Sequence, residues 1–216
     1  MVMDKSVVEP ILIGPDSWGV LGGTFDPVHN GHLELAQLVY KNFKLEKILF
    51  VPNQMPPHKQ DENVTPIEDR LAMLELALKD YPDFEISRLE VRGDIPQYTI
   101  YTMRELKEIY PNKRLFFLLG SDNLIQLKNW RKAKELIQEC NFILVEREGF
   151  CISEMSRQWE LPLALFEKII QWRITLHPQN VAASEIRKKI HAGQQVQDLV
   201  PNAVWTYIQG HQLYHE

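Results

Sequence analysis

The chain is poor in cysteine. Cys140 and Cys151 are the two in 216 residues, eleven positions apart with no CxxC spacing, which argues against a structural zinc site and a disulfide framework. One is expected to be a buried apolar thiol and the other a loop thiol. No apolar run approaches the roughly eighteen residues that a membrane-spanning helix needs. The opening MVMDKSVVEPILIGPDSWG carries Asp4 and Glu9 and only a brief apolar patch, unlike a secretory signal, so cytoplasmic residence is expected. There is no lysine-arginine block, and the net charge is −5; a polyanion surface is not expected, although a small phosphorylated ligand needs only a local basic pocket. Repeats and low-complexity segments are also absent.

What is present is ordinary globular composition, 44% apolar and 25% charged, in a length that suits one domain with a helical annex. Short apolar runs recur: WGVLGG (18–23), KILFVP (47–52), FEISRLEV (84–91), RLFFLLG (114–120), NFILVE (141–146) and WRITLH (172–177). Each reads as a buried strand. Between them LELAQLVYKNF, IEDRLAMLELALKD, YTIYTMRELKEIY, KAKELIQEC and SEIRKKIHAG space apolar residues as helices do. Strand–helix alternation implies a parallel sheet wrapped by helices. Thr65-Pro66-Ile67-Glu68 reads as a helix start, with Thr65 as N-cap, Pro66 at the first position and Glu68 closing a capping box. Residues 150–171 and 194–216, which hold Trp159, Trp205 and Tyr207, read as a helical end packed beside the sheet. Residues 1–16 read as a loosely held arm.

GGTFDPVHNGH (22–32) is the most distinctive stretch. Gly22 and Gly23 lie where the first strand of an open parallel sheet ends and a backbone can approach phosphates. The spacing is neither GxGxxG nor a P-loop. His29 in the loop and His32 in the first helical turn would meet an anion where the helix dipole already favours one; a cap with a packing partner and a metal pair are the alternatives. Ser184-Glu185-Ile186-Arg187-Lys188-Lys189 reads as a serine-started helix with three cations in its first turn, a conflict with the dipole that a bound anion would remove; solvated lysines and an Arg187 surface pair are the alternative. Pro56-Pro57-His58-Lys59 adds a basic element after the second strand.

These stretches resemble the HxGH nucleotidyltransferase superfamily: GGTFDPVHNGH is similar to its phosphate motif, and VAASEIRKKI (181–190) to its ISSTxIR motif, with Val181-Ala182-Ala183-Ser184 standing for ISST. VPNQMPPHK (51–59), VRGDIPQYT (91–99), GSDNLIQLKNW (120–130), VEREG (145–149) and LVPNAVWTYIQGHQLY (199–214) resemble the bacterial nicotinate mononucleotide adenylyltransferases, with Gln97 where that family has serine. The resemblance implies an α/β, Rossmann-like doubly wound parallel sheet with a small C-terminal helical part from about residue 178, all one nucleotidyltransferase domain. It implies adenylyl transfer from ATP to nicotinate mononucleotide, with Mg2+ carried on the ATP phosphates and no metal site built from side chains. Other phosphorylated acceptors, including nicotinamide mononucleotide, and a non-catalytic nucleotide-binding module are the alternatives. By the same resemblance Gly22, Gly23, Thr24, Phe25, His29, His32, Gly120, Asp122, Ser184, Ile186 and Arg187 bind ATP, and His58, Lys59, Tyr98, Thr99, Trp130 and Arg147 bind the nicotinate nucleotide. His29, His32, Lys59 and Arg187 carry the catalysis. Asp122 is alternatively the N-cap of the next helix, Trp130 a core residue, and Arg147 half of a surface ion pair. Arg70 is taken as structural.

Overall fold

The computed structural model describes residues 13–54, 64–93, 96–147, 151–176 and 181–215. The apolar runs form six strands: β1 (Ser17–Gly23), β2 (Lys47–Pro52), β3 (Phe84–Ile86), β4 (Arg114–Gly120), β5 (Asn141–Arg147) and β6 (Arg173–Leu176). They lie side by side in the order β3-β2-β1-β4-β5-β6, every pair parallel. Parallel neighbours require crossovers, and helices supply them: α1 (Asn30–Phe43), α2 (Ile67–Leu78), α3 (Thr99–Ile109), α4 (Ser121–Leu124), α5 (Ala133–Glu139), α6 (Ile152–Gln158), α7 (Leu163–Ile170), α8 (Ala183–His191) and α9 (Asn202–Gly210). This is the expected doubly wound sheet.

Alternation along each strand sends side chains to two cores. Ile48, Phe50, Phe116 and Ile143 join residues of α1, α2, α8 and α9 on one face, whereas Leu49, Phe117, Phe142 and Leu144 join residues of α3, α5 and α7 on the other. The tryptophan-rich stretches therefore do not form one helical end. α7, with Trp159 before it, covers one face, and α8 and α9 cover the other.

Some boundaries differ from the sequence expectation. β3 stops at Ile86 because the chain turns soon after, with Val91 N–H donating to Arg88 O at 3.1 Å. α2 is capped by Pro66, with no side-chain cap bond. Thr65 is held outside the helix because its N–H donates to Asp26 Oδ2 at 3.4 Å and its carbonyl accepts Arg70 Nε at 2.8 Å. Of the arm expected to be loose, residues 13–16 are anchored: Ile13 is buried, and Arg114 donates to Ile13 O at 2.8 Å and to Asp16 O at 3.0 Å. Residues 1–12 lie outside the described residues. Cys140 is buried and Cys151 half-exposed, both free. Among the described residues no helix is long and apolar enough to cross a membrane.

One feature of the register positions the site. β1 pairs with β2 as far as Gly23–Pro52, but with β4 only as far as Val20–Phe117. Beyond Val20 the two central strands part, so a crevice opens at their carboxyl ends, where the winding direction reverses and ligands of such sheets collect.

Candidate active site

Gly22 and Gly23 end β1 at this crevice. A Cβ on Gly23 would stand 3.1 Å from the Phe25 ring, so a side chain there would press on that ring. Phe25 follows at φ 50, a conformation uncommon for a residue with a side chain. Its ring is buried and meets His32 edge-on, centroids 5.0 Å apart. The expected ATP contact of Phe25 is thus limited to its backbone.

His29 is the extended N-cap of α1 and His32 is its third residue, as the spacing predicts. Their rings stack with centroids 3.7 Å apart. Gly31 makes this possible, since a Cβ there would lie 3.2 Å from the His29 ring. The His29 N–H donates to His32 Nδ1 at 3.3 Å, which leaves the proton of a neutral His32 on Nε2. Burial first, and then the Arg147 charge, pushes His29 down to about 4. Burial, His29 and Arg147 hold His32 well below the usual histidine range. Both rings are therefore neutral donors at neutral pH. His29 Nδ1 is buried and has no hydrogen-bond partner among the described residues.

α8 reaches this loop from the far end of the chain. Arg187 Nη1 donates to Asp26 O at 2.7 Å and faces Asp26 Oδ2 at 3.7 Å. The helix differs from its reading in sequence. Its N-cap is Ala182, Ser184 is its exposed second residue, and Lys188, Lys189 and His191 fall in the last turn, where the dipole favours cations. The supposed conflict in the first turn does not exist; placement against Asp26 singles out Arg187. Ile186 is a core residue, fully buried, and its N–H donates to Ala182 O at 3.1 Å, so it has no donor left for ATP.

Gly120 caps the four-residue α4, so Asp122 is not the cap. The Asp122 carboxylate fills the space a Gly120 Cβ would need, at 2.4 Å, and faces Arg147 at 3.9 Å. Both of these side chains are about half exposed, so their attraction is weak. The Arg147 N–H donates to Ser121 Oγ at 3.1 Å.

Beside the loop lies a cavity of about 270 Å³ lined by Gly22, Gly23, Tyr98, Thr99 and Trp130, together with Asn53, Glu90, Gln97, Thr102 and Phe117. Tyr98 is the N-cap of α3 and Thr99 its first residue. Trp130 packs edge-on against Phe117, centroids 6.0 Å apart, and so is both core and wall. Arg147 does not line this cavity; its charge acts on the histidines. His58 and Lys59 lie outside the described residues.

Sequence reasoning passed over Asp26 and Glu90. Asp26 is 3% exposed, and its signal was a carboxylate set inside a glycine- and histidine-rich loop. Glu90 sits in an apolar run; burial raises its carboxyl, offset by Thr102 Oγ1 donating to it at 2.5 Å. Arg70, taken as structural, is 1% exposed and donates to the carbonyls of Thr65, Thr24, Asn53 and Gln54 at 2.7–2.8 Å. It ties together the two loops that border the crevice.

A doubly wound sheet that brings two histidines and a distant arginine to its central crevice has the architecture of the HxGH nucleotidyltransferases. The chain belongs to the cytidylyltransferase-like family, whose model matches residues 20–189. Its curated relatives narrow this to the nicotinate-nucleotide adenylyltransferases. It is 39% identical over 198 residues to a probable nicotinate-nucleotide adenylyltransferase of Dehalococcoides mccartyi, covering 91% of this chain and 96% of that one. It is 40% identical over 197 residues to one of Geobacillus thermodenitrificans, covering 91% and 85%. The fold matches the Plasmodium falciparum nicotinic acid mononucleotide adenylyltransferase complexed with NaAD, with a TM-score of 0.71 at 20% identity over 92% of this chain and 97% of that one.

Proposed function

We propose that this chain transfers the adenylyl group of ATP to nicotinate mononucleotide, giving nicotinate adenine dinucleotide and pyrophosphate. The observation that carries the reading is the contents of one crevice: the neutral pair His29–His32 with Arg187 anchored beside it, and next to these a cavity edged by Tyr98, Thr99 and Trp130. In this reaction a phosphate oxygen of the mononucleotide attacks the α-phosphorus, and the bond to the α–β bridging oxygen breaks. The substrate is the nucleophile, so the protein needs only to hold two anions in line and stabilise the charge that builds on the leaving oxygens.

His29 and His32 donate to the ATP phosphates, His32 through Nε2, beside the backbone of Gly22, Gly23, Thr24 and Phe25. Ser184 and Arg187 hold the phosphates that leave. Gly120 and Asp122 contact the adenosine ribose. Tyr98 and Thr99, at the start of α3, receive the nicotinate carboxylate, and Trp130 lies against the pyridine ring. His58 and Lys59 serve the charge between the substrates. Arg147, whose field falls on the histidines, serves the ATP side. Magnesium arrives on the ATP phosphates as part of that substrate; among the described residues no three His, Cys, Asp or Glu side chains group to hold a metal.

The test is pyrophosphate release from magnesium-ATP with nicotinate mononucleotide, nicotinamide mononucleotide or phosphopantetheine. Turnover on the nicotinate nucleotide alone is expected, and His32→Ala should abolish it with the melting temperature kept. Preference for either other acceptor overturns the substrate, and full turnover by His32→Ala overturns the mechanism.

A further inference from the structure

Asp26 is a buried carboxylate beside the crevice with partners from three other parts of the chain, and the phosphate chemistry alone does not require it. Its Oδ1 accepts the Tyr214 hydroxyl at 2.7 Å, its Oδ2 accepts the Thr65 N–H at 3.4 Å and faces Arg187 Nη1 at 3.7 Å, and its carbonyl accepts Arg187 Nη1 at 2.7 Å. A carboxylate buried to this degree is tolerated only with such partners. They come from three other parts of the chain: the strap before α2, the second turn of α8 and the turn after α9. The position of Asp26 is thus fixed from three sides, and that of Arg187 is fixed by Asp26.

The contact uses one nitrogen of Arg187. It makes no other hydrogen bond among the described residues, so Nε and Nη2 keep their donors. A guanidinium pinned at one corner presents the rest of its fork in a set direction, and the entropy of fixing that long side chain is spent before a ligand arrives.

Tyr214 is the least expected member. It lies 188 residues from Asp26 and sits at φ 68, as Gln212 sits at φ 54, so the last turn adopts two uncommon conformations. That turn delivers the hydroxyl to Oδ1. Burial and the Asp26 charge hold the phenol far above its ordinary range, so it stays a donor at any working pH.

We propose that Tyr214, acting through Asp26, is a positioning residue for Arg187: the hydroxyl holds the carboxylate in the place from which it aims the guanidinium at the leaving phosphates. The proposal rests on Arg187 as a phosphate contact, and the experiment separates the two. The full chain is compared with Tyr214→Phe, Arg187→Ala, the double variant, and Leu213→Ala, which loosens the same turn and keeps the hydroxyl. Tyr214→Phe should lower kcat about tenfold to a hundredfold, leave KM for nicotinate mononucleotide within about twofold, and weaken binding of α,β-methylene ATP measured by calorimetry. Leu213→Ala should lower the melting temperature and keep kcat. In the Arg187→Ala background the tyrosine change should have no further effect on binding of that analogue, the signature of residues acting as one unit. If Arg187→Ala keeps full turnover, the phosphate reading falls and this proposal with it. If Arg187→Ala is inactive while Tyr214→Phe keeps wild-type kcat, only the proposal falls. Equal weakening of analogue binding by Tyr214→Phe with and without Arg187 also overturns it, because the tyrosine then acts elsewhere.

Discussion

A histidine that is buried and neutral contributes to stability in a pH-dependent way. His29 is held near 4 in the fold and titrates near 6.5 when unfolded. Above about pH 6.5 neither state is protonated and the contribution is intact; as pH falls toward about 4 the unfolded state takes up the proton first, so stability is lost, on the order of 3 kcal/mol in all. Urea unfolding at about pH 7 and about pH 4.5 should show a larger loss for the wild type than for His29→Asn. Groups other than residue 29 are common to both proteins and cancel from the comparison. Equal losses would mean that the ring is hydrated in solution and the burial argument is wrong. The same placement was partly legible in sequence: the three-residue spacing puts both imidazoles at a helix start. The stack and the missing partner of His29 Nδ1 were not, because they depend on Gly31 and on the angle at which the loop enters α1.

At the scale of elements, the entry into α1 depends on a glycine that no turn type demands. Gly31 is inside the helix, where glycine costs about 1 kcal/mol relative to alanine, so Gly31→Ala would ordinarily stabilise. A Cβ there lies 3.2 Å from two atoms of the His29 ring and 3.9 Å from the Val181 carbonyl, tight enough that the ring must shift. The variant should therefore melt at or near the wild-type temperature and yet lose about tenfold or more in kcat, read by the same pyrophosphate assay. A fully active Gly31→Ala would show that the stack can relax without consequence. Strand positions were read well from sequence because runs such as KILFVP and RLFFLLG are buried on both faces and bounded by turns. Helix starts were read less well. Thr65 and Ser184 both look like caps, but Asp26 and Arg70 take the backbone groups of Thr65, and α8 begins earlier than its first serine. In both places a distant partner outweighs the local preference.

Across the whole molecule, the two cores are unequal in how they are closed. The face that carries α1 and α2 is completed by residues after position 193: Val200, Val204 and Ile208 are at most 1% exposed. Each such side chain contributes roughly 1.5–3 kcal/mol, so a chain cut after Gly193 loses an amount comparable to the roughly 5–15 kcal/mol that holds a typical domain folded. Thermal unfolding followed by circular dichroism should show no cooperative transition for it; a sharp melt close to that of the full chain would mean the tail is an addition to an independent fold. The architecture was visible in the alternation of apolar runs. The meeting of residues 26, 65, 187 and 214 was not, since no local pattern records which distant side chain a buried carboxylate receives.

That meeting has a consequence for the order in which the protein is made. A ribosome finishes the histidine pair early, and both rings are out of the exit tunnel well before Arg187 exists. Of the partners of Asp26, Thr65 is made soon after it, whereas Arg187 and Tyr214 follow only after all six strands have been made. Because the contacts that complete the crevice span 161 and 188 residues, closing them is slow and comes late. The cluster around Asp26 is therefore complete only once the segment that carries Tyr214 has been made and has docked.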